Sequence, residues 1–187
     1  MIDYKLISES IDFYESNGYK RIESPWTVSE YVANLTRPEG AQPFKIEYSG
    51  KHLVASGEQS FLYLYLKDFL PKGSFQTITP CFRYESFDYN HSKYFIKNEL
   101  IKTDLVDLDE LNKLVDLSYK LFSKYLSNLD IKSTESGFDI EWKGNELGSY
   151  GIRENDFLKW IYGTGCAEPR LSRTINISKR NNERTID

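Results

Sequence analysis

Thiols and imidazoles are scarce in this chain: its 187 residues hold two cysteines, Cys81 and Cys166, and two histidines, His52 and His91. That excludes a disulfide framework and a Cys/His zinc site, and it reads as a pair of reduced thiols in a cytosolic protein. Long apolar runs are missing too. The longest, "FLYLYL" (61–66), is far too short to span a bilayer. The opening "MIDYKLISES" lacks the basic start and apolar stretch of a signal peptide. There is no excess of positive charge: 24 Lys and Arg stand against 28 Asp and Glu, a net charge of −4. Nucleic acid is therefore not held mainly by bulk electrostatics, although a local basic patch remains open. No GxxxxGK[ST] loop and no GxGxxG after a strand occur, so a nucleotide site here must be of another kind.

The chain is long enough for one domain with a substantial core, and 14 Tyr and 11 Phe demand a core or a ligand to pack on. Residues 3–16 predict a helix, with Leu6, Ile7, Ile11 and Tyr14 near a 3.6 period and Asn17-Gly18 as its stop. "YKRIESP" alternates as a strand ending at Pro25, and "TRPEGAQP" (36–43) is a loop. "FKIEYSGKHLVAS" predicts a hairpin turning at Ser49-Gly50. "GEQSFLYLYLKDFLP" predicts a helix, given its length and acidic start. "SFQTITPCFRYE" and "YFIKNELIKTD" read as strands around a polar loop. Residues 108–126 carry the stripe Leu111, Leu114, Val115, Leu121, Phe122 and Tyr125, the mark of an amphipathic helix. "GFDIEWKG" and "NELGSYGIRE" form a second hairpin turning at Lys143-Gly144. "DFLKWIYGTGCAEPRLSRTI" predicts a Gly-rich turn and a short helical stretch, followed by a polar tail over 178–187. The order implies an α+β domain, an antiparallel sheet flanked by helices.

Four clusters have chemical potential. Arg83 and Glu85 lie two apart after an apolar strand; they can pair on the surface or serve as two arms of a ligand site, with Tyr84 pointing back into the sheet. Phe95 precedes Glu99 by four residues on the return strand. Asp139 and Glu146 flank the second hairpin, either as a solvated face or as metal ligands. Gly163 and Gly165 precede Arg170, and can form a plain turn or a close backbone approach. Together they suit ATP. An Arg fork matches phosphate oxygens, an aromatic face takes adenine, and paired carboxylates hold Mg²⁺, which bridges to phosphate. Glycines admit the backbone, and a second Arg reaches the far phosphate.

On these residues the whole chain resembles the catalytic domain of class II aminoacyl-tRNA synthetases. "GYKRIESP" resembles motif 1 of that family, "CFRYES" with "FIKNE" motif 2, and "YGTGCAEPRLSRTI" motif 3. "DIEWKGNELGSYGIR" is similar to the aspartyl/asparaginyl branch and to the ammonia-dependent asparagine synthetase. The resemblance implies ATP-dependent activation of an amino acid or related carboxylate through an acyl-adenylate, in a homodimer joined through the residues 1–35 region. It implies Arg83 at the α-phosphate and substrate carboxylate, Glu85 near the adenine amino group, and Phe95 and Arg170 on the two adenine faces. Gly163 and Gly165 would line the ATP site. Asp139 and Glu146 would hold Mg²⁺, with Ser149 nearby, and Ser56, Gln59 and Glu99 would belong to the substrate pocket. Where aspartate enzymes carry a Lys, this chain has Leu62, so aspartate is not implied. Glu168, just before the motif 3 Arg, would repel a phosphate or add a metal ligand. The chain reads as one catalytic domain without an anticodon-binding domain. The acyl acceptor is then an amine, a carrier protein or a tRNA acceptor end. The competing reading is a non-catalytic paralogue that binds nucleotide or RNA.

Overall fold

The computed structural model describes residues 1–38, 41–84 and 93–183. Glu85 and His91 lie outside them. Helix α1 (Tyr4–Ser16) starts at Asp3, whose side chain accepts from the amides of Lys5 and Leu6. Short strands β1 (Lys20–Arg21) and β2 (Thr27–Ser29) lead into α2 (Glu30–Asn34). The first expected hairpin is β3 (Lys45–Ile46) and β4 (Lys51–Leu53), followed by α3 (Gly57–Leu66). Long strands β5 (Ser74–Phe82) and β6 (Tyr94–Lys102) pair antiparallel along their whole length. Then come α4 (Leu108–Phe122), β7 (Asp130–Thr134), β8 (Gly137–Trp142), β9 (Asn145–Glu154), β10 (Lys159–Glu168) and α5 (Arg170–Glu183).

The main sheet runs β1-β5-β6-β10-β9-β8-β7, and a small sheet runs β2-β4-β3. All main-sheet pairs are antiparallel except β1 with β5, so the sheet is mixed. The "YKRIESP" strand is shorter than its alternation suggests. Only two residues pair with β5, and Ile22 N–H adds one bond to the Gln76 carbonyl. The edge strand β7 has every residue exposed, so it lacks the alternation by which a half-buried strand is recognised.

The sheet separates two cores. On one face α1 and α4 bury Tyr14, Leu100, Leu114, Ile140, Tyr150 and Ile161. On the other, α2, α3 and the small sheet bury Val28, Val54, Phe61, Leu62, Ile101 and Trp160. Leu62 is fully buried there as a plain core residue. Both thiols are buried, and burial pushes Cys81 up to about 11 and Cys166 higher still, which leaves both unreactive.

Two expectations about "YGTGCAEPR" are corrected. Its glycines form no turn; they lie inside β10, at the centre of the sheet. A Cβ on Gly163 would sit 2.7 Å from Tyr150 Cδ1 and 2.9 Å from Leu114 Cδ2, and one on Gly165 2.8 Å from Tyr14 Cε2. Both absences serve the α1/α4 face. Glu168 is not exposed to a ligand, and among the described residues it joins no metal cluster. It is wholly buried; one oxygen accepts from Asp3 N–H at 3.0 Å and the other from Ser172 N–H at 2.8 Å. It caps α5 and ties that helix to the start of α1. Helix α5 continues to Glu183, beyond the short helical stretch expected.

Gly163→Val is expected to lower stability by about 1–3 kcal/mol, because the added carbons overpack a closed core; urea unfolding checks this, and an unchanged midpoint would contradict the packing role. Burial raises the Glu168 pKa above the ordinary carboxylate value, against the pull of its two amide donors. A raised folded pKa means the folded state holds the proton more tightly. Its contribution is fully present below the unfolded pKa and is lost as pH rises through the folded pKa. Glu168→Gln should therefore flatten the fall in thermal midpoint between acid and neutral pH. An identical pH profile in the variant would show that Glu168 does not titrate this way.

Candidate functional site

On the α3 side of the sheet lies a cleft of about 380 Å³. Its floor follows from strand alternation. On β6, Phe95, Lys97 and Glu99 face the cleft, while Ile96 and Leu100 face the α1/α4 core. Ser149 and Arg153 come from β9, and Tyr162, Thr164 and Ala167 from β10. Glu146 and Arg170 close one end, and Arg153 lies seven residue steps along β9 from Glu146, roughly 23 Å at about 3.3 Å per step. The walls come from the start of α3, the end of β5 and the loop after α2.

Arg83 follows the last residue of β5. Its amide still bonds to the Lys93 carbonyl at 3.0 Å, which continues the ladder by one rung. Its Nε donates to the Ala55 carbonyl at 3.2 Å, and its guanidinium lies 5.1 Å from the Phe95 ring centroid. Tyr84 does not turn back into the sheet. It is exposed, with its ring 5.4 Å from that of Phe44.

The start of α3 comes unusually close to the sheet. A Cβ on Gly57 would lie 2.8 Å from Glu99 Cβ and 2.9 Å from Thr79 Oγ1, so only glycine fits without a shift. Ser56 does two things there. Its hydroxyl accepts from Glu58 N–H as the helix cap and donates to Glu99 Oε2 at 2.9 Å. Glu99, almost completely buried, also receives Lys97 Nζ at 2.9 Å. Gln59 lines the cleft, but its amide is engaged by backbone. It accepts from Ala55 N–H and donates to the Ala33 carbonyl, both at 2.8 Å.

Glu58, Arg153, Tyr162 and Lys97 were not singled out by sequence reasoning. Glu58 is buried; Trp160 Nε1–H donates to its Oε1 at 2.7 Å, and Arg153 pairs with its Oε2. Burial raises the Glu58 pKa, and Arg153 opposes this. Arg153 in turn lies 4.4 Å from the centroid of Tyr162. A Glu in the first turn after a serine cap reads as ordinary helix chemistry. The signal that was present is the Arg that closes "ELGSYGIR".

At the other end Arg170 Nη1 pairs with Glu146 Oε1 at 2.6 Å. Asp139 stands opposite Ser149 on β8, outside the cleft lining, with a buried Oδ1 that has no hydrogen-bond partner. Its pKa is raised, first by burial and then by Glu146 and Glu141, while Ser149 and Arg170 pull it down. Among the described residues no three His, Cys, Asp or Glu side chains converge as a metal cluster. Of the residues picked out from the sequence, the cleft gathers Ser56, Gln59, Arg83, Phe95, Glu99, Glu146, Ser149 and Arg170. Asp139 sits beside it, and Gly163 and Gly165 face the opposite core. No described helix is long and apolar enough to cross a membrane.

No family model matches the chain, and no curated protein does. Solved structures are similar. Pyrrolysyl-tRNA synthetase from Desulfitobacterium hafniense superposes with a TM-score of 0.71 at 17% identity, over 94% of this chain and 69% of that one. Seryl-tRNA synthetase from Pyrococcus horikoshii, complexed with ATP, gives 0.71 at 15% identity, over 92% and 49%. The cytoplasmic serine-tRNA ligase from Naegleria fowleri, in complex with AMP, gives 0.66 at 17%, over 88% and 51%. The chain thus spans about half the length of the seryl enzymes it matches. These neighbours are seryl and pyrrolysyl enzymes, and they do not show the likeness to the aspartyl/asparaginyl branch in particular. The likeness is one of fold: a mixed sheet flanked by helices, as in the class II aminoacyl-tRNA synthetase catalytic domain.

Proposed function

We propose that this chain activates an amino acid or related carboxylate with ATP, forming an acyl-adenylate and pyrophosphate. The acyl group then passes to an amine, a carrier protein or a tRNA acceptor end. One observation carries the reading. A single cleft brings together Arg83 and Phe95 from one strand pair with Glu146 and Arg170 from the distant C-terminal part of the chain, a set that suits the charges and the ring of a nucleotide. The fold neighbours crystallised with ATP and AMP support it.

In this reading a substrate carboxylate oxygen attacks the α-phosphorus in line. The bond from that phosphorus to the bridging oxygen breaks, and pyrophosphate leaves with the electron pair. No proton has to be removed, since a carboxylate is ionised at neutral pH. The scarcity of His and Cys is therefore no obstacle; catalysis rests on positioning and on charge. Arg83, held by Ala55, meets the charge that grows on the α-phosphate oxygens and orients the substrate carboxylate. Phe95 offers one face to adenine and Arg170 the other. Glu85 belongs to the same reading, near the adenine amino group.

Asp139 and Glu146 fit Mg²⁺, because a buried carboxylate oxygen of Asp139 has no partner and the neighbouring Glu146 raises the proton affinity of Asp139. Mg²⁺ retains waters and needs only one or two carboxylates besides phosphate. When bound, it would neutralise phosphate charge. Glu146 would hold the ion in place of Arg170, and Arg170, now paired with Glu146, would be free to meet a phosphate. Ser149 steadies Asp139. Gln59 shapes the substrate pocket through the backbone, and Ser56 does so through Glu99. Gly163 and Gly165 act indirectly, by setting where β10 lies. Association of two copies through the residues 1–35 region completes the proposal; exposed Trp26 and Tyr31 supply apolar area there.

ATP–pyrophosphate exchange across a panel of amino acids tests it. Exchange is expected with at least one, and Arg83→Ala should reduce it by about 100-fold or more, the scale of losing one charge-stabilising donor. The thermal midpoint should hardly change. Undiminished exchange in the variant would remove Arg83 from the site. ATP binding without exchange for any amino acid would favour the non-catalytic reading.

A further inference from the structure

Two cations of the cleft floor, Lys97 and Arg153, are already paired with buried carboxylates of the protein. Lys97 is engaged by Glu99 at 2.9 Å, with Glu99 only 1% exposed. Arg153 is engaged by Glu58, itself 4% exposed, and is further pinned over the Tyr162 ring. Neither carboxylate can turn to water, so each needs its cation. Beside Arg153 the lining turns neutral: the hydroxyls of Tyr162 and Ser136 share a 3.2 Å hydrogen bond, and Ser149 and Thr164 add two more hydroxyls to the same cleft.

From this arrangement we infer that the amino acid activated here carries an uncharged side chain, and that the Glu58–Arg153 pair enforces the choice. This rests on the amino-acid-activation reading above. An acidic side chain approaching Arg153 would share one guanidinium with the buried Glu58, placing two anions side by side. Drawing Arg153 away would leave Glu58 buried and uncompensated, which is strongly unfavourable. A basic side chain meets the mirror problem, since both nearby carboxylates already hold cations. A neutral side chain disturbs neither pair and can bond to the hydroxyls. The device excludes charged competitors by repulsion while contributing no charge of its own.

The test is exchange kinetics with neutral, acidic and basic amino acids, on the wild type and on two variants whose folding is checked by thermal unfolding. The wild type should prefer a neutral amino acid over any charged one by at least about 100-fold in kcat/KM. Glu58→Gln keeps an acceptor for Trp160 but strips Arg153 of its anion; it should raise the acidic-to-neutral ratio by about 10-fold or more. Arg153→Ala should shift the ratio toward basic amino acids, by leaving Glu58 without a cation. If one variant fails to fold, the other and the wild-type panel still decide. A charged amino acid as the best wild-type substrate, or folded variants that lower all amino acids equally, would overturn this inference and leave amino-acid activation standing. Exchange with none of them would overturn both.

Discussion

Strand β10 has to serve two faces at once, and the rest of the molecule depends on how it does so. It is the middle strand of seven, with α1 and α4 packed on one side and the cleft on the other. Gly163 and Gly165 have no side chain where Tyr150, Leu114 and Tyr14 press in, so both helices can lie close against the sheet. Between and beside them Tyr162 and Thr164 point the opposite way and form part of the cleft floor. Larger residues at 163 and 165 would move β10, and with it the floor. Tyr150 adds a lock, since its hydroxyl donates to the Thr164 carbonyl at 2.7 Å. Core packing and site geometry are therefore coupled through one strand.

The start of α3 is the complementary constraint from the other side. Gly57 allows the helix to approach β5 and β6, Ser56 caps it while holding Glu99, and Glu58 reaches across to Arg153 and Trp160. Three consecutive residues thus join four strands and set one wall of the cleft. The buried carboxylates Glu58 and Glu99 are each stabilised by a cation and a neutral donor, the arrangement that makes buried charge tolerable. At the far end, Arg170 and Glu146 form a more exposed pair that can exchange partners.

Periodicity carried most of the architecture. The α4 stripe, both hairpins and the long β5 and β6 strands follow from spacing of 3.6 or 2 and from turn residues. Tyr48 and Gly50 adopt positive φ in the first turn, and Lys143 and Gly144 in the second. What spacing could not reveal was tertiary in origin. Two glycines within "YGTGCAE" look like a turn by composition, yet they are required by rings that approach from α1 and β9. Strand β7 escaped notice because an exposed edge has no apolar alternation. Glu168 looked like a ligand because its neighbour Arg170 lies in the cleft, whereas the α5 amides and Asp3 claim it. In the site, residue types alone pointed to Arg83, Phe95, Glu146 and Arg170, while Glu58 was hidden behind its role as an acidic first-turn residue.

Placing a carboxylate oxygen on the α-phosphorus is the central chemical claim, and oxygen labelling addresses it directly. The amino acid that supports exchange is supplied with ¹⁸O in both carboxylate oxygens, and hydroxylamine is added to cleave the activated acyl group at carbon. Mass spectrometry of the nucleotide product should then find one ¹⁸O in AMP for each hydroxamate formed. Label appearing in inorganic phosphate with ADP as the nucleotide product, or hydroxamate formed with unlabelled AMP, would contradict activation through an acyl-adenylate.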